Sequence, residues 1–235
     1  MVNSIFWCDY PRDVVQVQGP DAATYLQSQV SQDLRQLQVG QSSWSFVLQP
    51  VGKVDVLLRV WRTADDTFVL DTDAGFGDTM VARLNRFKIR VKADITPLEW
   101  RCIAVRGAAV DGVASWGGGV DMLGPDLEPP VSVPAGSADD LLAARIAAVW
   151  PAMGAEIVPG ETIPAETGIT DVAVSFTKGC YPGQELVERM DSRAASAPRL
   201  LQGLSVAEAE AVGARVTSQH EGRALAYVPR AALTA

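Results

Sequence analysis

Apolar side chains over residues 1–100 recur with helical and strand-like periods in turn. The stretch after Asp21 has the spacing of an amphipathic helix, with apolar positions at Ala22, Leu26, Val30, Leu34 and Leu37. Two strand-like runs follow in SWSFVLQPVGKVDVLLRVWR, with a turn at 50–52, and TFVLDTD extends them into a meander. A second helix around 80–87 and a strand in IRVKADITPLEW complete the pattern. Residues 1–100 are therefore predicted to form a first α+β subdomain.

The pattern repeats more loosely over residues 101–192. CIAVRG is typical of an apolar strand, and a glycine- and proline-rich connection follows over 117–134. Ser137 and Asp140, three residues apart, predict a capped helix through SADDLLAARIAAVW, which Pro151 ends. VAVSF has the pattern of a short buried strand. We predict a second α+β subdomain over 101–192.

The end of the chain differs from the rest. DSRAASAP is small and polar, which favours a linker or surface loop. Three short strand candidates follow in RLLQGLSV and GARVTSQHEGRALAYVPR. The sequence therefore predicts an α+β protein with a small β module at 197–235.

Composition limits the possible partners. The 235 residues are 48% hydrophobic, which is enough to bury a real core in one large domain or two or three small ones. A net charge of -8 and a pI near 4.7 argue against direct binding of nucleic acid. One basic run alternates through Arg83, Arg86, Lys88, Arg90 and Lys92. We interpret it as a solvated face in preference to a ligand site.

The N-terminal residues lack a basic start followed by an apolar stretch, and no window has the length of a membrane span. We therefore expect a cytoplasmic protein that does not bind membranes. We also expect a monomer, because no heptad pattern or long apolar edge stands out. Cys8, Cys102 and Cys180 fit neither a disulfide framework nor the spacing of a metal site, so reduced thiols and no metal are expected.

Candidate chemistry lies in FTKGCYPGQELVERM. Lys178 and Gly179 would turn the chain and Pro182 would open a helix, which places Cys180 just before a helix N-terminus. Unpaired N–H groups, the helix dipole and a nearby lysine stabilise a thiolate there, as a nucleophile or metal ligand needs. Alternatively, the glycines only serve the turn and Cys180 is a small buried side chain. The residues alone leave both interpretations open, although His220, the only histidine, is a poor partner for a cysteine hydrolase.

KGCYPGQE, residues 178–185, resembles the signature K-G-C-[YF]-x-G-Q-E of the YgfZ-type folate-binding proteins. These are relatives of the aminomethyltransferase T-protein of the glycine cleavage system. The likeness extends to VQGPDAATYLQSQVSQDL, LQPVGKVDVLLRVWR, RLNRFKIRVKADI and IPAETGITDVAVSFTKGCYPGQELVERM. PRLLQGLSV and ALAYVPR resemble parts of the family's C-terminal barrel, abbreviated here.

The resemblance implies two intertwined α+β subdomains and a small barrel in a ring around a folate-sized cavity, with the loop of Cys180 facing it. It further implies tetrahydrofolate binding and support of iron–sulfur enzymes or cluster-assembly proteins, including enzymes that modify tRNA. Cys180 would act as a nucleophile, transient ligand or redox thiol, tuned by Lys178. The folate contacts implied by the motif, with one further acidic candidate, are Lys178, Gly179, Tyr181, Gly183, Gln184, Glu185 and Glu166.

The sequence departs from the T-protein at two acidic positions. Its paired aspartates are replaced by Val56 and Leu57, and Asp55 is predicted to point to the opposite strand face. The glutamate of its R-[LI]-E-A-G stretch, which holds the pterin, is replaced by Ala147 in RIAAV. A lost charge-assisted acceptor is worth about 1.5–3 kcal/mol. We therefore do not expect aminomethyl transfer, and Glu166 or Glu185 is the predicted replacement acceptor.

Two alternatives to a folate-binding accessory protein remain open from the sequence. One is a folate-dependent one-carbon enzyme in which Cys180 attacks a folate adduct. The other is an interaction module without a ligand, if the missing carboxylates and the short barrel have closed the cavity.

Overall fold

The computed structural model describes residues 5–192 and 197–233, except for the side chains of 191 and 192. The strands, in chain order, are β1 (Phe6–Asp9), β2 (Arg12–Gln18), β3 (Ser42–Leu48), β4 (Val54–Ala64), β5 (Thr67–Asp73), β6 (Asp94–Leu98), β7 (Arg101–Arg106), β8 (Val113–Ala114), β9 (Val120–Gly124), β10 (Arg199–Ser205), β11 (Arg215–His220) and β12 (Arg223–Pro229). The α-helices are α1 (Ala22–Gln29), α2 (Gly77–Arg86), α3 (Ala138–Ala147), α4 (Thr170–Ala173), α5 (Gln184–Ser192), α6 (Val206–Ala211) and α7 (Arg230–Leu233). No described helix combines the length and the apolar character needed to cross a bilayer.

The first sheet has five antiparallel strands in the order β3-β4-β5-β2-β6. Its central meander, β3 to β5, confirms the predicted hairpin and the strand in TFVLDTD. One face is covered by α1 and α2, whose Leu26, Met80 and Leu84 are fully buried against the sheet. The strands β3 to β5 are buried almost continuously along their length, because one face of the sheet meets the helices and the other meets the second sheet.

The first helix ends earlier than predicted. The spacing predicted a helix through Leu37, but α1 ends at Gln29 and Val30 has an extended backbone. Ser31 is the physical reason, because its N–H donates to the carbonyl of Phe46 and its buried hydroxyl accepts from the N–H of Phe46. These bonds draw the chain onto β3. Leu34 and Leu37 are buried in the same core. Their apolar spacing was therefore caused by burial of a non-helical segment and not by a helix.

The second sheet has the order β1-β7-β9-β8. Because β1 precedes the first sheet in the chain but pairs with β7, the chain passes from the second sheet into the first and back again. The helix α3 begins at Ser137, whose side chain and that of Asp140 cap each other's backbone N–H groups, as the sequence predicted. VAVSF was wrongly predicted as a strand. Its first residues end α4, and Ser175 makes a single backbone bond to Ser31 in place of a ladder.

A chain of buried ion pairs joins the two sheets. It runs, in order of contact, through Asp73, Arg12, Asp71, Arg59, Asp121 and Arg106. Arg59 and Asp121 have no exposed side-chain surface and meet at 2.9 Å. Burial alone would raise the pKa of Asp121, but Arg59 and Arg106 hold that pKa below its usual value. The alternation of charges gives each buried arginine of this chain of ion pairs at least one carboxylate partner.

The C-terminal module is a three-stranded sheet in the order β10-β12-β11, which confirms three predicted strands. It packs on α3 through Ile146, Leu225 and Tyr227. Buried Glu156 adds a polar link, since it accepts from Arg145 at 2.6 Å and from Ser218 at 2.6 Å. Most of the predicted linker, residues 193–196, lies outside the described residues.

Candidate functional site

The cysteine loop, residues 178–183, is tied to the end of α1 by Lys178. The ammonium donates to the carbonyl oxygens of Gln27 at 2.6 Å, Val30 at 2.5 Å and Gln32 at 3.1 Å. The carbonyls at a helix end lack partners within the helix, so a cation is well placed there. The three N–H groups of a lysine are thereby all used. Lys178 therefore positions the loop, and the predicted contact with a folate would require these bonds to break.

The environment of Lys178 also bears on its charge. Burial lowers the pKa of Lys178 to about 8, and nearby Asp33 opposes that change. The side chain is 5% exposed, and its ammonium lies 5.1 Å from the ring centre of Tyr181, which is itself buried. At neutral pH the lysine is still mostly protonated, and the carbonyls favour that form.

Gly183 is required by a close backbone approach to the β3–β4 turn. A Cβ on Gly183 would lie 2.5 Å from the carbonyl oxygen of Gln49 and 3.0 Å from the Cα of Gly52. Both glycines have φ of +84°. Gly179 differs, because a Cβ there would have no neighbour within 4 Å. Within one motif, therefore, one glycine is needed for packing and the other is not.

Cys180 is exposed on this loop. The sequence predicted that a helix would begin at Pro182, but α5 begins at Gln184. The left-handed backbone of Gly183 is the reason, since a helix cannot pass through a residue with φ of +84°. Tyr181, Pro182 and Gly183 thus separate the thiol from the helix. The loop presents Cys180 to solvent on a fixed support.

The predicted acidic contacts have partners of their own. Glu166 is buried and pairs with Arg199 at 3.1 Å. Glu185 is exposed and pairs with Arg189 at 2.7 Å, while Gln184 donates to Glu188. The structure does not bring Glu166 and Glu185 into one ligand cleft with the cysteine loop.

The positions of the T-protein aspartates are apolar and buried. Val56 packs on the α2 side of the sheet, whereas Leu57 lies in the core shared with the second subdomain. Asp55 is the extra residue of a β-bulge, because Val47 pairs with Val56 while Leu48 pairs with Val54. The expected two-residue alternation fails there, and Asp55 turns to Arg83 of α2, at 3.0 Å, instead of away from it. Its other oxygen accepts from Gln49 at 2.7 Å.

A cleft of about 780 Å³, here the α3 cleft, lies between α3, the segment after β7 and the β11–β12 turn. Its wall on α3 is rich in alanine, with Ala143, Ala144 and Ala147 beside Asp140 and Ile146. In the resemblance drawn from the sequence, Ala147 corresponds to the glutamate of the R-[LI]-E-A-G stretch. Val149, where that motif has glycine, has φ of +50°, a conformation that favours glycine. This backbone supports the correspondence drawn from the sequence.

Arg106 lines the α3 cleft with an incompletely used guanidinium. Its Nη1 donates to Asp121 at 2.9 Å, its Nη2 donates to Ser115 at 3.3 Å, and the group lies 3.9 Å from the ring centre of Trp116. Its Nε is buried and has no hydrogen-bond partner among the described residues. A buried donor without an acceptor costs about 1–3 kcal/mol. The rest of the guanidinium is held by protein acceptors, since Nη1 also donates to the carbonyls of Val105 at 2.9 Å and Val120 at 3.3 Å.

Two acidic side chains also line the cleft, Asp140 and Glu221. Hydrogen bonds from Ser137 hold the pKa of Asp140 below its usual value, so its carboxylate is charged at neutral pH. Glu221 lies in the β11–β12 turn beside His220, which also lines the cleft. The cleft thus offers Arg106 as a donor and two carboxylates as acceptors.

The structure places the cysteine loop and the cleft apart. None of residues 178–185 lines the α3 cleft or a second, apolar cleft of about 300 Å³ beside α5. Cys180 and His220 are therefore not brought together in a cleft. Across residues 5–192 and 197–233, no three histidine, cysteine, aspartate or glutamate residues gather as a metal site.

Sequence reasoning missed Arg106, Trp116 and Glu221. The only signal for Arg106 was an arginine followed by Gly107 at the end of an apolar strand. Such a residue is usually exposed, and its burial depends on Asp121 from a strand later in the chain.

These observations can be set beside known proteins. Residues 13–115 match the family model described as the GCVT N-terminal domain. The match covers the first sheet, its helices and the segment that carries Arg106. It stops before α3 and the cysteine loop.

Two relatives are similar to this chain over a longer stretch than the family model covers. A protein of Haemophilus influenzae described as uncharacterized is 27% identical over 192 residues, covering 78% of this chain and 67% of the relative. The iron-sulfur cluster assembly factor IBA57 homolog, mitochondrial, of Pyricularia oryzae is 29% identical over 217 residues, covering 81% of this chain. The chain spans about half of that homolog, 54% of its length.

A solved structure shows the fold. The glycine cleavage system aminomethyltransferase T from Bartonella henselae superposes with a TM-score of 0.73 at 19% identity, covering 97% of this chain and 79% of that protein. The protein therefore has a mixed α+β fold similar to that of the aminomethyltransferase.

Proposed function

We propose that this protein is a folate-binding accessory protein that supports the assembly or repair of iron–sulfur clusters. The single observation that carries the proposal is the similarity, over 81% of this chain, to a relative named as an iron–sulfur cluster assembly factor. The clients we propose are iron–sulfur enzymes, including those that modify tRNA, or proteins of the cluster-assembly machinery.

The α3 cleft is the site that we propose for tetrahydrofolate. Its volume of about 780 Å³ falls within the usual range for small-molecule sites. Arg106 lines the cleft, and a ligand acceptor could pair with its Nε after a small movement of the side chain, while the alanines of α3 leave room for a flat ring. Asp140 and Glu221 can accept from ring N–H groups in place of the missing glutamate at Ala147. A bound tetrahydrofolate would supply one-carbon chemistry, whereas the residues of this chain bind and orient it.

Aminomethyl transfer is not part of the proposal. Val56 and Leu57 are buried and apolar, so neither can exchange a proton with a folate nitrogen. Asp55 is held by Arg83 and Gln49 in the bulge. This arrangement favours an accessory role over a folate-dependent one-carbon enzyme.

Cys180 is the reactive group that we propose for the interaction with clients. It is exposed, and the bonds of Lys178 and the packing of Gly183 fix the loop that carries it. A nucleophile, a transient cluster ligand and a redox thiol all need such an accessible sulfur. Lys178 contributes by holding the loop.

The test is reconstitution of a purified apo-form [4Fe–4S] tRNA-modifying enzyme with ferrous iron and a sulfide donor, followed by visible absorbance. Wild-type protein with tetrahydrofolate should speed cluster formation, and Cys180→Ser should return the rate to that without the protein. Cys102→Ala, which removes a buried thiol, is the matched control and should act like wild type. Equal rates with and without the wild-type protein would refute the proposal. Turnover of a folate adduct by the purified protein alone would favour the one-carbon enzyme.

A further inference from the structure

A run of unpaired cations connects α2 to β6. The basic loop, residues 86–92, carries Arg86, Lys88, Arg90 and Lys92. None of the four forms an ion pair within the described part of the chain. By contrast, Arg83, one turn earlier, pairs with Asp55. The whole chain has a net charge of -8, so this loop is a local reversal of the charge of the molecule.

The loop is held in shape at both ends. At its start, the ring of Phe87 lies against the guanidinium groups of Arg83 at 4.3 Å and Arg86 at 5.7 Å. At its end, the N–H of Lys92 donates to the carboxylate of Asp21 at 2.7 Å, and the N–H of Asp21 donates to the carbonyl of Lys92 at 3.2 Å. The cations are therefore presented by a supported segment.

An apolar side chain lies at the centre of these charges. Ile89 is 77% exposed, between Lys88 and Arg90, and Arg90 has a left-handed backbone with φ of 58°. These features do not stabilise the fold of the single chain. Ile89 buries little apolar area, the left-handed backbone of Arg90 is strained, and the neighbouring positive charges repel each other. An apolar centre with a charged rim is the composition of a protein–protein interface.

We propose that the basic loop docks on an acidic face of a partner protein, with Ile89 entering an apolar pocket within that face. Carboxylates of the partner would pair with Lys88 and Arg90, and burial of Ile89 would exclude water from the centre. The inference rests on the proposed function only for the choice of partner in the test.

The loop chemistry favours a protein over a nucleic acid or a membrane. Single-stranded nucleic acids stack on aromatic side chains, but Phe87 is half-buried beneath arginines and Ile89 is aliphatic. A chain with a net charge of -8 is also repelled by a polyanion beyond the loop itself. Stable membrane binding needs a larger apolar face than one isoleucine.

The experiment measures binding of the protein to an immobilised apo [4Fe–4S] tRNA-modifying enzyme of negative net charge, at low and high salt. The loop variants are Lys88→Glu with Arg90→Glu, and Ile89→Asp. Arg215→Glu is the control, since Arg215 is an exposed arginine on β11. Circular dichroism confirms that each variant is folded.

We expect the charge-reversed pair to weaken binding at least about tenfold and to remove most of its salt dependence. Ile89→Asp should weaken it at both salt concentrations, and more at low salt because the new carboxylate is repelled by the acidic face, while Arg215→Glu should change it less than about twofold. Loop variants that bind like wild type, or no binding by wild type, would overturn the inference. Loop-dependent binding to tRNA or to phosphatidylserine vesicles, without binding to the enzyme, would also overturn it.

The two proposals fail separately. If wild type and both loop variants speed cluster formation equally, the function stands and the docking surface is wrong. If the protein binds through the loop but does not speed cluster formation, the docking surface stands and the proposed function is wrong.

Discussion

The cysteine loop and the α3 cleft use their buried cations in opposite ways. In the loop, the ammonium of Lys178 has three carbonyl partners at the end of α1. In the cleft, the Nε of Arg106 is equally hidden from solvent and has no partner among the described residues. A fully satisfied cation holds structure, whereas a buried donor without an acceptor carries a cost that a ligand acceptor would remove if the side chain moved to meet it. The KGCYPGQE motif therefore supports an exposed thiol, whereas the proposed ligand site lies at the cleft that contains Ala147 of RIAAV.

Asp121→Ala should give the largest effect, because it tests the support of the cleft. It leaves Arg59 and Arg106 buried without their shared carboxylate. Breaking a buried pair costs about 3–5 kcal/mol, so the free energy of unfolding in urea should fall by about that amount. Asp126→Ala removes an exposed carboxylate nearby and should change the stability by less than about 0.5 kcal/mol. Equal stabilities for the two variants would show that the ion-pair chain does not carry the interface.

Gly183→Ala tests the support of the cysteine loop. Its Cβ would lie 2.5 Å from a backbone oxygen, and its φ is left-handed. Strain and clash together should lower the free energy of unfolding by about 2 kcal/mol. Gly179→Ala, in the same motif, has no neighbour within 4 Å and should change it by less than about 0.5 kcal/mol. Similar losses for both glycines would contradict the packing described for the β3–β4 turn.

Thiol labelling compares the reactivity of the three cysteines in the unmutated protein, so the free energy of unfolding is not changed. Cys180 is exposed, whereas burial raises the pKa of Cys8 to about 11 and raises that of Cys102 as well. At pH 8 very little of the Cys8 thiol is ionised, and half ionisation is reached only near pH 11, the raised pKa. An excess of a maleimide at pH 8 should label Cys180 alone in the native protein and all three thiols in urea. Mass spectrometry reads the outcome, and fast native labelling of Cys8 would disprove the burial of β1.

The elements that were predicted correctly from the sequence are those that depend on residues close together in the chain. The β3–β4 hairpin follows from two strand-like apolar runs on either side of a glycine turn, and the start of α3 follows from the capping residues Ser137 and Asp140. The end of α1 depended on bonds between Ser31 and Phe46, and the turn of Asp55 toward α2 depended on a bulge. Both features arise from pairing with a neighbouring strand, and the spacing of apolar residues gives no information about such pairing.

The candidate site was likewise predicted only in part from the sequence. The loop of Cys180 was predicted because its motif is contiguous, although the fixed role of Lys178 comes from carbonyls at the end of α1. The resemblance implied a folate-sized cavity, but the residues that line the α3 cleft were not predicted together, because Arg106, Asp140 and Glu221 come from three separate segments. Only the folded chain shows that one nitrogen of Arg106 has no partner among the described residues.

Titration of the protein with tetrahydrofolate, followed by tryptophan fluorescence, tests the central claim that ligand binding belongs to the α3 cleft. Four proteins are compared: wild type, Arg106→Gln, Ala147→Glu and Cys180→Ser. We predict saturable binding by wild type, weakened about tenfold or more in Arg106→Gln. Ala147→Glu should bind about tenfold or more tightly than wild type because it restores an acceptor, and Cys180→Ser should bind like wild type. No saturation up to about 1 mM, or a loss in Cys180→Ser with none in Arg106→Gln, would contradict the account.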